Sequence, residues 1–293
     1  MPYLTSDLIA DVKDRAFAPT AQETFDEAAI LRIADSKVQS VILPLMQSLR
    51  SEHYSTWKDE LVVSGVAAYR IPARALGMQL RDVQLVTSSG AVRDLPQIDP
   101  EQVTTTTSGE VCAFYMRANR VVLYPTPSAS QGGTTLRLHY FLRPGKLVLA
   151  IAAAPISVLA SATSLTVSSV PSTWTTANTF DFVRAEGASE PLGIDFAASS
   201  VSTTLTFTTS VPTDLALLDY VTLAGESPIP TIPAELRPVL AQATAHQMLQ
   251  SQKLPGADDA MKLLDMEIRA ATTLLTPRVQ GAPRTIVARH GWL

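Results

Sequence analysis

Apolar residues recur at three- and four-residue spacing near the two ends of the chain and at two-residue spacing between them, so the pattern predicts helices flanking strands. Thr5 and Ser6 can cap a short helix running to Asp14, because a hydroxyl accepts the free amides of a first turn, and Asp7 favours its positive end. A second helix is expected from near Thr24, with Ile30, Ala34, Val38, Val41 and Leu45 on one face. Pro44 lacks an amide donor and crowds the preceding turn, so a kink or break is expected before residues 45–54 resume the helix.

From Trp57 the period changes to that of a strand. Residues 80–86, 114–117, 120–124 and 134–141 are β-type runs; in the last, Leu136, Leu138 and Tyr140 alternate with Arg137 and His139, giving one buried and one wet face. Ala118 and Asn119 read as a tight hairpin turn, with Asn supplying the positive φ. Residues 104–108 read as a polar loop. The stretch 150–227 is a separate block of Ser, Thr and Ala with Arg184 as its single basic residue; short apolar runs at 165–167, 180–183, 194–196, 205–207 and 220–223 suit a small all-β unit of sandwich type.

Helical spacing returns after Pro228, Pro230 and Pro233. A helix from Ala234 is expected to bend at Pro238 and to align Leu236, Leu240, Ala243 and Gln247. Past Pro255-Gly256, Asp258 is expected to cap a last helix with a seam of Met261, Leu264, Ile268, Ala271 and Leu275. The predicted fold class is α+β. It comprises a helical bundle formed from N-terminal helices (1–56) and C-terminal helices (228–276), an intervening β region (57–149), an inserted all-β module (150–227) and an extended C-terminal arm (277–293).

Composition sharpens this picture. At 293 residues, 46 % hydrophobic and 17 % charged, the chain can bury a sizeable core as one elaborated domain or two smaller ones. A formal charge of -4 disfavours nonspecific nucleic-acid binding over the whole surface. Cys112 is the single cysteine, so neither an internal disulfide nor a zinc site of paired cysteines is expected. The N-terminus lacks the basic-then-apolar order of a signal peptide, and the longest apolar candidate, 146–162, is short of a bilayer span, so a soluble protein of a cytoplasm with no membrane partner is expected.

Candidate chemistry is sparse. Gly187-Ala-Ser189 lacks the second glycine of a nucleophile elbow, and Gly145-Lys146 has Tyr140 where a phosphate loop needs its first glycine. His53, His139, His246 and His290 stand apart without an accompanying carboxylate motif, so no metal and no cofactor is expected. Cys112 with His139 is the best nucleophile–base pair available; the competing reading makes Cys112 a small core hydrophobe beside Val111, Ala113 and Phe114, and His139 a surface residue. Asp94, Asp99, Asp258 and Asp259 fit turns and caps. The expectation is a chain without a catalytic centre.

Residues 277–293 cannot continue a helix, because Pro277 and Pro283 interrupt it and Gly281 loosens it. Arg278, Arg284 and Arg289 give this segment a charge of +3 with no acid, beside Val279, Ile286, Val287, Trp292 and Leu293. Mixed apolar and basic residues over 284–289 suit addition of a strand to a partner's sheet edge, and Trp292 is the type of anchor found in interface hot spots.

The chain resembles the head-to-tail adaptor family of tailed phages, also called connector or upper-collar proteins. The resemblance is carried along the whole length by Leu4-Thr-Ser-Asp-Leu-Ile9, Ile42-Leu-Pro-Leu-Met46, Ala68-Tyr-Arg-Ile-Pro72, Leu80-Arg-Asp-Val-Gln-Leu85, Asn119-Arg-Val-Val-Leu-Tyr-Pro125 and Thr276-Pro-Arg-Val-Gln-Gly-Ala-Pro-Arg284. It implies a structural, non-enzymatic protein with a helical-bundle core, assembled in the host cytoplasm as a ring of twelve copies at the virion neck. Its implied partners are the portal protein, a tail or nozzle protein, and DNA that passes without specific binding. The same resemblance implies a portal-binding role for Arg278, Val279, Arg284, Ile286, Val287, Arg289, Trp292 and Leu293. Another virion neck or tail structural protein is the alternative, since Ser/Thr-rich β modules also suit those.

Overall fold

A computed structural model of the chain describes residues 2–16, 25–103, 108–185, 191–253 and 256–276. The chain folds as two compact units, one made of residues 1–50 with 147–293 and the other of residues 51–146.

The first unit begins with α1 (Thr5–Arg15). Leu4, not Thr5 or Ser6, holds the N-cap position, and the Asp7 carboxylate accepts the Leu4 amide at 2.8 Å. Thr5 is fully buried instead, its hydroxyl donating to the Val148 carbonyl at 2.8 Å and its amide to that of Pro228 at 2.9 Å. Helix α2 (Glu27–Lys37) is capped by Asp26, which accepts the Ala29 amide at 2.6 Å. It passes through a π-helical turn, Val38–Ile42, into α3 (Leu43–Leu49). A wider turn just ahead of Pro44 gives the proline ring room and shifts the buried face by one residue. Ile30, Ala34 and Val38 are buried as the spacing predicts, but Ile42, Leu43 and Met46 follow them, leaving Val41 and Leu45 half-buried.

The second unit holds β1 (Ser55–Leu61), β2 (Ala68–Arg70), β3 (Ala75–Val86), β4 (Val92–Asp94), β5 (Ser108–Gly109), β6 (Ala113–Arg117), β7 (Arg120–Tyr124), β8 (Thr126–Pro127) and β9 (Thr135–Leu142). Four of them form an antiparallel sheet in the order β1-β9-β3-β4, and three more a sheet in the order β2-β7-β6. Strand β9 alternates as predicted, with Leu136, Leu138, Tyr140 and Leu142 buried. Strand β3 starts five residues earlier than its apolar run because Gly77 and Met78, both at positive φ, form an irregularity that lets the strand continue. In the hairpin between β6 and β7 the positive φ falls on Ala118 and not on Asn119.

The chain returns to the first unit through β10 (Lys146–Leu147) and builds β11 (Ala154–Leu159), β12 (Ser164–Val167), β13 (Thr179–Val183), β14 (Pro191–Ser200), β15 (Thr204–Phe207) and β16 (Tyr220–Leu223). These six close on themselves in the order β11-β12-β15-β14-β13-β16, with β16 pairing back onto β11. The expected sandwich is therefore a closed antiparallel barrel. Its interior is aromatic: Phe182 meets Phe196 at 5.0 Å and Phe207 at 5.2 Å, and Trp174 meets Phe180 at 5.0 Å, all edge-on as ring quadrupoles prefer. Gly193 lets these rings close, since a Cβ there would lie 2.6 Å from the Phe196 ring and 2.8 Å from Pro212. Closure removes the exposed sheet edges that a sandwich would keep.

After β17 (Glu226–Ser227), α4 (Arg237–Ser251) and α5 (Ala257–Leu275) complete the first unit. Pro238 sits in the first turn of α4, where no amide is needed, and so produces no bend. Helix α4 is buried on nearly every side and packs against α1, α2 and α5. Buried Gln242 accepts from Arg15 Nη1 at 2.9 Å and donates to the Ala260 carbonyl at 3.0 Å, and Arg15 also reaches Glu267 at 2.6 Å. Helix α5 has Gly256, at φ 95°, in the N-cap position; Asp258 lies in its first turn and is not its cap.

The predicted helical-bundle architecture is corrected. Among the described residues the chain is mixed α+β with more residues in strands than in α-helices, its α-helices run from seven to 19 residues, and four of the eight buried aromatic residues, Trp174, Phe180, Phe182 and Phe207, belong to the barrel core. The reason is physical. The barrel and the sheets each enclose a core of their own, so the packed helices supply only part of the buried interior.

Candidate interaction surfaces

The eight residues predicted to bind a portal, Arg278, Val279, Arg284, Ile286, Val287, Arg289, Trp292 and Leu293, all lie outside the described residues. So do Ser189 of the incomplete nucleophile elbow and most of the expected polar loop at 104–108.

The candidate catalytic pair is not assembled. Cys112 is exposed, which corrects its reading as a core hydrophobe, and its thiol and amide both point to the Tyr124 carbonyl, at 3.6 and 2.9 Å. His139 sits on the wet face of β9, where its Nε2 donates to Gln84 Oε1 at 3.0 Å and its ring tilts against Trp57 at 6.0 Å. Among the described residues no group of three or more His, Cys, Asp or Glu side chains is placed to hold a metal ion. No helix of the described residues is long and apolar enough to cross a membrane.

The wet face of the four-stranded sheet carries a row of polar and aromatic side chains set by strand register. Trp57 stands opposite His139, and Asp59 opposite Arg137; on the other side of β9, Arg137 neighbours Gln84, which in turn faces Asp94. Arg137 meets both oxygens of Asp59 at 2.8 Å and lies 5.5 Å from the Trp57 ring centre. The hydrogen bond to Asp59 raises the Arg137 pKa, and a guanidinium is charged throughout the usable pH range in any case. Gln84 Nε2 donates to Asp94 Oδ1 at 2.8 Å. Trp57 nonetheless leaves 55 % of its surface exposed.

Two further apolar features face solvent in the first unit. In the turn before β16, Leu217 and Leu218 are exposed, and Leu218 is held at φ 74°, a region leucine rarely adopts. Buried Asp219 fixes this turn by accepting the Ala185 and Ala216 amides at 2.9 and 2.8 Å. On α5, Ala260, Leu264, Ala271 and Leu275 are buried, while Leu263, Met266 and Leu274 form a second row that is 51, 65 and 67 % exposed. The predicted seam thus holds at Leu264, Ala271 and Leu275, is half-buried at Ile268 and fails at Met261.

Sequence reasoning passed over these exposed residues because an apolar residue in a strand or helix reads as core by default. The α5 row was visible, however. Leu263, Met266, Ala270 and Leu274 repeat at steps of three, four and four beside the core seam, one more apolar row than a helix packed on one side needs.

The family model described as SU10 adaptor protein matches residues 3–163. This stretch takes in α1 to α3, the whole second unit and β11; the rest of the barrel, α4, α5 and residues 277–293 lie beyond it. None of the curated proteins matches the chain.

Proposed function

The chain belongs to the SU10 adaptor protein family, the phage structural adaptors, and from that premise we propose that copies of it form a ring at the virion neck that joins the portal to the tail and lets DNA through. Family membership over residues 3–163 is the observation that carries this reading. Residues 277–293 are the portal-gripping segment, through Arg278, Val279, Arg284, Ile286, Val287, Arg289, Trp292 and Leu293. Three arginines of one subunit could not hold such a joint, since an exposed ion pair contributes about 0 to 1 kcal/mol. Twelve identical segments closing on one ring act at high effective concentration, so the assembly is far tighter than any single contact. A chain of net charge -4 also suits a passage through which a polyanion must move without sticking.

Mixing the purified chain with portal rings and imaging the product by electron microscopy tests the proposal. A stoichiometric collar under the portal is expected, and its absence at micromolar concentrations sinks the adaptor reading. Deleting residues 277–293 is expected to abolish the collar while leaving the chain folded, as read by circular dichroism. A truncated chain that still forms it removes the portal-binding role of that segment.

A further inference from the structure

The second apolar row of α5 lies beside, and not within, the face that Ala260, Leu264, Ala271 and Leu275 commit to the core. At 100° per residue, Leu263, Met266, Ala270 and Leu274 fall within an arc of about 80°, and they extend about 16 Å along the helix at 1.5 Å per residue. Three large apolar side chains lined up and exposed in this way form a stripe, not a scatter. We propose that in the unassembled subunit this stripe is covered by residues 277–293 of the same chain, folded back along α5. The proposal rests on the reading of that segment as the portal-gripping arm, and adds where the arm is held beforehand.

Connectivity, length, spacing and charge each support this occupant. The segment starts directly after Thr276, at the end of α5 where Leu274 stands, so docking requires only a reversal of direction, for which Gly281 and Pro283 are suitable residues. Extended at about 3.3 Å per residue, 17 residues reach about 55 Å, roughly twice the helix length. The apolar pairs Ile286-Val287 and Trp292-Leu293 are six residues apart, or about 20 Å when extended, close to the span from Leu274 to Leu263. The segment holds three of the chain's 23 basic residues and none of its 27 acidic ones, so it carries +3 against -7 for the remainder. The exposed charges of α5 itself are Asp258, Asp259 and Asp265 against Lys262, which pairs with Asp259 at 2.9 Å, and Arg269.

Docked, the segment hides two apolar surfaces at once and withholds the arm from wrong partners. A portal then competes with α5 for the same side chains.

Limited trypsin digestion of the full chain reads the docking directly, because Arg278, Arg284 and Arg289 are cleavage sites within the segment. In the intact subunit, cleavage there is expected to be slow. The double variant Met266→Glu, Leu274→Glu is expected to speed it at least tenfold with the melting temperature unchanged, since both side chains are mostly exposed. Trp292→Ala is expected to act in the same direction. Equal cleavage rates in wild type and both variants overturn the proposal. So does protection that disappears on dilution together with a dimer in sedimentation, because the occupant is then a second copy. Portal capture by the same proteins separates the two readings: if no variant binds a portal but the digestion difference persists, the arm reading fails and the docking stands.

Discussion

Tyr3 and Asp219 show how single residues hold this chain together in ways that spacing does not reveal. The Tyr3 phenol is half-buried, donates to Asp11 at 2.5 Å and lies under Arg237; burial first, then the bond to Asp11 and its charge, push its pKa well above the ordinary value. A group whose folded pKa is raised contributes stability that is complete below the unfolded pKa, near 10 for tyrosine, and is lost as pH rises through the folded value. Denaturant midpoints followed from about pH 8 to about pH 11.5 should therefore fall more steeply for the native chain than for Tyr3→Phe; parallel curves would remove Tyr3 from the alkaline transition. Asp219 was passed over in the sequence because an aspartate before a strand looks like an ordinary turn residue. Its bonds to the buried Ala185 amide and to the Ala216 amide, with the carboxylate itself buried, make Asp219→Ala cost about 2 to 5 kcal/mol, readable as a lowered urea midpoint. Next to it, Leu218→Gly should cost less than about 1 kcal/mol despite deleting a large side chain, because glycine is relaxed at positive φ and the leucine is 63 % exposed.

Among the elements, the barrel is where the apolar pattern was legible and its geometry was not. Each of the predicted runs at 165–167, 180–183, 194–196, 205–207 and 220–223 falls within a strand, since β-branched and aromatic residues fit a half-buried pleat wherever it lies. Alternation says only that one face is buried, and both a sandwich and a barrel satisfy it. Gly193 belongs to the deciding features, so Gly193→Ala should cost about 1 to 3 kcal/mol by forcing the Phe196 and Phe182 rings and Pro212 apart. Loss of near-ultraviolet circular dichroism from the aromatic core would accompany it, whereas an unchanged spectrum and midpoint would mean that the rings yield without cost. The π turn at Val38–Ile42 illustrates the same limit in a helix. Counting by three and four located Ile30, Ala34 and Val38, then chose Val41 and Leu45 where one inserted residue had moved the face to Ile42 and Met46.

For the whole molecule, charge organises the expected behaviour. If residues 277–293 bind a portal through their three arginines, the measured affinity should fall as salt rises from about 50 to about 500 mM, and Arg278→Gln, Arg284→Gln, Arg289→Gln together should flatten that dependence. A salt response identical in the triple variant would place the attraction elsewhere on the chain. By itself the sequence determined the local elements at both ends and in the middle, the family resemblance, and the +3 segment on an acidic chain, because periodicity, capping chemistry and charge are properties of neighbouring residues. Only the tertiary structure decided that strands and a closed barrel outweigh the α-helices among the described residues, that Cys112 is exposed and His139 engaged with Gln84 and Trp57, and that α5 carries a second apolar row beside its core face. Those outcomes depend on which surfaces meet across long stretches of chain, and an apolar side chain contributes the same letter to the sequence whether its face finds a partner within the fold or is left outside it.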